Sequence, residues 1–150
     1  MTQTKTIRKI EEQMYSPKKL YWEDGMKTGD PNLDFQHKYL FETFNKLADA
    51  ISSGQEEEAI NTILNRLKFY AEWHFEKEED CMQQHKCPAA ETNKKAHAIF
   101  LDLFTMYYED YKEAGGSIEL ATKIHDTLSN WLLNHVAGVD ARLYPYIHQK

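Results

Sequence analysis

Apolar residues recur in steps of three and four along most of this chain, which is the period of a helix with one buried face. Between Asp34 and Ser52 the stripe reads Leu40, Phe41, Phe44, Leu47 and Ile51, and Ser52-Ser53-Gly54 ends it. A second stripe runs from about Glu56 to Gln84 through Ile60, Ile63, Leu64, Leu67, Tyr70, Ala71, His74, Glu78 and Met82, and Pro88 enforces a break. A third runs from about Ala90 to Ala114 through Asn93, Ala96, His97, Phe100, Leu101, Phe104 and Tyr107, up to Gly115-Gly116. The last starts at Ser117, a good helix cap, and continues through Leu120, Ile124, Leu128, Leu132 and His135 to about Asn134, with Gly138 weakening any extension. Strand-type alternation is absent. Four amphipathic helices joined by short loops predict an all-α, up-down-up-down four-helix bundle over residues 34–150. Residues 1–33 contain Pro17, Gly25, Gly29 and Pro31 and lie outside the helical pattern. They read as an irregular arm packed on the bundle, with Trp22 as its pin.

The informative positions are the polar ones that interrupt the apolar stripes. His37 shares a face with Leu40 and Phe44. His74 shares one with Leu67 and Tyr70, and Glu78 stands one helical turn beyond it. His97 lines up with Phe100 and Phe104, and His135 with Leu128 and Leu132; Asp140 lies just past Gly138, where the backbone can leave a regular helix. A single inward histidine is most often a core residue bonded to a carbonyl, and His74 with Glu78 alone is an ordinary helical pair. One imidazole from every helix together with two carboxylates is different. Buried unpaired carboxylates are costly, and this set most simply neutralises a cation. Imidazole nitrogen with carboxylate oxygen suits iron, zinc, manganese or copper. His85 lies two turns beyond Glu78, roughly 10 Å along a helix, too far to join. His125 and His148 read as surface or satisfied residues.

Composition narrows the function classes. The chain has 150 residues, enough for one domain with a real core, and a formal net charge of -6, which argues against nucleic acid as a partner. No apolar run is long enough for a membrane span, and Met1-Thr2-Gln3-Thr4-Lys5 does not open a secretory signal. Cys81 and Cys87 read as free thiols in a reducing cytoplasm.

The residues just named, with their neighbours, resemble the bacterial hemerythrins (bacteriohemerythrins). Lys27-Thr28-Gly29 and Leu33-Asp34-Phe35-Gln36-His37-Lys38-Tyr39-Leu40-Phe41 are similar to the family's first-helix signature, continued by Asn45-Lys46-Leu47. His74-Phe75-Glu76-Lys77-Glu78-Glu79 is similar to its His-Phe-x-x-Glu-Glu segment, and Trp131-Leu132-x-x-His135 with Asp140 to its last motif. The resemblance covers roughly Trp22 to Tyr144. It implies two iron ions with a bridging oxo or hydroxo group: His37 and His74 on one iron, His97 and His135 on the other, Glu78 and Asp140 bridging. It implies molecular oxygen as the ligand, bound reversibly in a carrier, storage or sensing role, and it leaves a redox or oxygenase partner open.

One position departs from the family. Its third helix carries His-x-x-x-His, and here Asn93 replaces the first histidine while His97 keeps the second. Three outcomes stand open: Asn93 coordinates through its amide oxygen, a water fills the gap, or the second iron binds weakly. A lost nitrogen donor predicts faster oxidation of the centre than in a relative with all five histidines. Peroxidase-like chemistry, oxygen or nitric-oxide detoxification, and iron sensing or storage are the alternatives. No base or nucleophile beyond the ligands stands out, so the chain reads as an oxygen-binding protein rather than an enzyme. Phe41, Phe100, Phe104 and Leu132 are the expected dry wall of the site.

Overall fold

The computed structural model describes residues 17–147; His148 and the first sixteen residues lie outside it. Four long helices make the body: α1 (Pro31–Ser52), α2 (Glu57–Gln84), α3 (Ala90–Glu113) and α4 (Ile118–Gly138). A 3-10 turn (Asp140–Leu143) and a short helix α5 (Tyr144–Ile147) follow. There is no strand among the described residues. The helices pack as a ring, α1 on α2 and α4, and α3 on α2 and α4, as an up-down-up-down bundle requires.

α1 starts at Pro31, three residues before the expected Asp34. The Asp30 side chain accepts hydrogen bonds from the backbone N–H groups of Asn32 (2.8 Å) and Leu33 (3.1 Å), and proline at the first helical position needs no donor partner. The helix ends where Gly54 takes a φ of 66° and Gln55 N–H returns to the Ala50 carbonyl at 3.0 Å. α2 ends in the same way at Lys86, whose φ of 53° is unusual for a residue with a side chain. Ser117 caps α4 by accepting from Leu120 N–H at 3.4 Å. α4 runs on to Gly138, a turn beyond the expected Asn134. Glycine inside a helix costs only about 1 kcal/mol, and the packed Val136 keeps the last turn in place.

The core fills from all four stripes. Phe44, Leu47, Ile60, Leu64, Leu67, Phe104, Ile124 and Leu128 are buried. Each side chain of that size contributes about 1.5–3 kcal/mol by leaving water, which is why the stripes dictate the ring. Residues 17–30 lie against the bundle. Leu20 and Met26 are buried, and Asn45 clamps the Leu20 backbone, accepting its N–H at 2.7 Å and donating to its carbonyl at 2.8 Å. Thr28 donates to Asp34 through both its backbone N–H and its hydroxyl, at 2.8 and 2.9 Å.

Candidate metal centre

The helix faces that bury leucine and phenylalanine also bury the interrupting polar residues. His37, His74, Glu78 and Asn93 are fully buried, with Asp140, His97 and His135 nearly so. They form two groups around a shared carboxylate. His37, His74 and Glu78 make one; Glu78, His97, His135 and Asp140 make the other, and within each the ligand-type atoms lie within 4.8 Å of one another. The imidazoles pair likewise, with ring centroids 4.5 Å apart for His37 and His74 and 5.1 Å for His97 and His135. Asp140 reaches the cluster because the chain leaves α4 just before it and enters a 3-10 turn.

Glu78 stands between the pairs. Its Oε2 is 2.7 Å from His37 Nε2 and 3.2 Å from His74 Nε2, and its Oε1 is 3.0 Å from His97 Nε2. Asp140 spans them on the other side, with Oδ2 3.2 Å from His37 Nε2 and Oδ1 3.1 Å from His135 Nε2. Several of these close pairs are not hydrogen bonds. His74 Nε2, His97 Nε2 and Asp140 Oδ1 are buried without a hydrogen-bond partner despite neighbours near 3 Å. Lone pairs crowded together and misaligned for proton sharing are the arrangement a cation between them resolves, and the donors present fit iron.

Electrostatics agree. Burial acts against charge on His37, His74, Glu78 and His97. At His37 the carboxylates of Glu78 and Asp140 outweigh burial and push the pKa up to about 10. At His74 burial prevails over Glu78 and the pKa is lowered. At His97 Glu78 overcomes burial and the pKa rises. Burial also opposes ionisation of Glu78, yet His74 and His37 hold it well below the usual carboxylate range. The anion that draws a proton to His37 equally draws a metal cation.

The surrounding shell was only partly legible. His74 Nδ1 donates to Gln36 Oε1 at 2.7 Å, which keeps the proton there and leaves Nε2 bare for a metal. His97 Nδ1 faces Glu79 Oε2 at 3.4 Å. Phe75 stacks on His97 with centroids 3.8 Å apart, and Trp131 on His135 at 4.5 Å. Trp22 lies over His37 at 6.3 Å. Phe41, Phe100, Phe104 and Leu132 are buried as expected. Gln36, Glu79, Phe75 and Trp131 sit inside the quoted motifs, but helical period gives no sign of what they touch. His85 is exposed and remote from both groups. Of the two readings of His125, surface or satisfied, burial removes the first: it is fully buried, with Nδ1 3.2 Å from Asp126 Oδ1 and its Nε2 without a hydrogen-bond partner.

The family model "Hemerythrin HHE cation binding domain" matches residues 28–147. The chain belongs to the hemerythrin family. A bacteriohemerythrin of Pseudomonas aeruginosa (strain PAO1) is 33% identical over 122 residues, covering 81% of this chain and 77% of the relative. One from Stenotrophomonas maltophilia is 30% identical over 121 residues, 81% of this chain and 76% of the relative. The myohemerythrin of Sipunculus nudus is 28% identical over 125 residues, 83% of this chain and 90% of the relative. As a hemerythrin this is a non-heme di-iron protein that binds molecular oxygen, and membership favours that reading over the peroxidase-like, detoxifying and iron-storage alternatives. Among the described residues no helix is long and apolar enough to cross a membrane.

Proposed function

We propose that His37 and His74 hold one iron, that His97 and His135 hold the other, and that Glu78 and Asp140 bridge them, with Asn93 at the remaining corner of the second position. The observation that carries this is the single carboxylate of Glu78, which places one oxygen beside His37 and His74 and the other beside His97. When bound, the two ferrous ions supply the electrons that reversible oxygen uptake requires. The chain's own residues bind, orient and shelter. Gln36 fixes the tautomer of His74. Phe75 and Trp131 set the ring planes of His97 and His135. Trp22, Phe41, Phe100 and Leu132 exclude water, which slows irreversible oxidation. The bundle that supplies the ligands spans residues 34–150, with residues 1–33 as the arm that contributes Trp22.

The partner this function needs is an electron donor that restores the ferrous state, or an oxygenase that receives the oxygen. The compartment is the reducing cytoplasm, consistent with free Cys81 and Cys87.

The test is iron stoichiometry with visible absorption through cycles of adding and removing oxygen. Two irons per chain and a band that comes and goes with oxygen are expected. Peroxide turnover with a donor, and no reversible band, would replace carriage with catalysis.

A further inference from the structure

The amide of Asn93 is held in one orientation. Its nitrogen donates to Glu78 Oε1 at 3.0 Å and to Met82 Sδ at 3.2 Å. A carboxylate oxygen and a thioether sulfur can only accept, so both amide hydrogens are used and a flipped amide would set oxygen against oxygen and sulfur. The carbonyl oxygen therefore faces the other way, 2.5 Å from His135 Nε2. Asn93 is fully buried, so no bulk water reaches that oxygen.

This geometry has a consequence once His135 binds metal through Nε2. A coordinating imidazole nitrogen carries no proton. Asn93 Oδ1 then loses its donor and faces a nitrogen lone pair at close range, a buried acceptor left without a partner. An ion shared by the two atoms removes both penalties. Building on the ligand assignment proposed above, we infer that Asn93 ligates the second iron through Oδ1 and that Met82, whose sulfur accepts from the amide nitrogen, is a positioning residue that keeps the oxygen aimed. The second position then takes two imidazoles, an amide oxygen and the bridging carboxylates. The first takes two imidazoles and the same carboxylates. A neutral amide oxygen is a weaker donor to Fe(II) than imidazole, so the second iron is held less tightly than a third imidazole would hold it, and its release rate follows what stands at position 93.

The test measures iron rather than oxygen binding. Wild type and the variants Asn93→Ala, Asn93→His and Met82→Leu are loaded with ferrous iron, and release to a ferrous chelator is followed. 57Fe Mössbauer spectra are recorded on the reduced proteins, and thermal melts check folding. Two release phases are expected in wild type. Asn93→Ala should speed release of the second iron and leave that of the first unchanged. Met82→Leu should speed that phase alone, by about ten- to a hundred-fold, as loss of a residue behind a ligand does. Asn93→His should slow it and move one of the two iron signals only. Two irons retained in Asn93→Ala at the wild-type rate would show that water, not the amide, fills the position and would overturn the inference. Should Asn93→Ala fail to fold, unchanged release and unchanged spectra in Asn93→His would overturn it instead. An unchanged Met82→Leu removes the positioning role. Wild type that takes up no iron sinks the ligand assignment itself, a different failure.

Discussion

The two halves of the metal centre hold their histidines by different means. On the α1–α2 side, His37 and His74 are fully buried, and a hydrogen bond from His74 Nδ1 to Gln36 fixes where its proton sits. On the α3–α4 side, His97 and His135 lie flat against aromatic faces, Phe75 and Trp131. The contact from His97 Nδ1 to Glu79 is long at 3.4 Å, and Glu79 is 26% exposed. His135 also borders a surface depression lined by Ala96, Thr127, Asn130, Trp131 and Asn134. Stacking sets the plane of an imidazole but says nothing about its tautomer, whereas a hydrogen bond sets both. One half is thus prepared for metal through proton placement, and the other through ring packing and the amide of Asn93.

Both halves share Glu78 and Asp140, and Glu78 touches three imidazoles where Asp140 touches two, so replacing Glu78 should have the largest effect. Glu78→Gln removes an anion that, alone among the described residues, contacts three of the imidazoles. Nearly all iron should be lost, from both positions, by metal analysis of the purified variant. Loss from one position only would mean that the halves are independent.

Changing the residues behind the ligands should separate the halves. Gln36→Leu is expected to weaken the first position by about ten- to a hundred-fold, read by competition with a chelator. Glu79→Ala should weaken the second by less than about ten-fold, because its contact is long and partly exposed to water. Equal effects would erase the contrast between hydrogen-bonded and stacked histidines.

A smaller effect comes from a buried histidine away from the centre. His125 packs edge-on against Phe44 with centroids 6.0 Å apart, and burial lowers its pKa below 6.5 despite Asp126. As pH falls through that value the unfolded chain takes up the proton first, so the stability held above it erodes below it, until the folded pKa is reached. The slope from this one proton is at most about 1.4 kcal/mol per pH unit. Urea midpoints at about pH 7.5 and about pH 5.5 should converge in His125→Phe relative to wild type. An unchanged acid sensitivity would assign that sensitivity elsewhere.

The contrast also shows what each kind of signal carries. Leu40, Phe44, Leu64, Phe104 and Leu128 announce the bundle because apolar burial is non-directional and needs only the right face. The same face placed His37, His74, His97 and His135 inward, and Glu78 with them. Apart from the family motif, Asp140 was within reach only because Gly138 hinted at a departure from helix, and the chain in fact departs one residue later. Period had no purchase on Gln36, whose amide crosses from α1 to α2, or on the orientation of the Asn93 amide.

Alone, the sequence determined the four stripes, the ring they close and the inward placing of the four histidines and Glu78, since all of these follow from spacing along a helix. Tertiary packing decided which nitrogen of each imidazole faces the centre, why His125 is buried, and that Met82 and Glu78 turn the Asn93 oxygen toward His135. Those are matters of direction, and a hydrogen bond's direction depends on partners brought from other helices, which no one-dimensional pattern records.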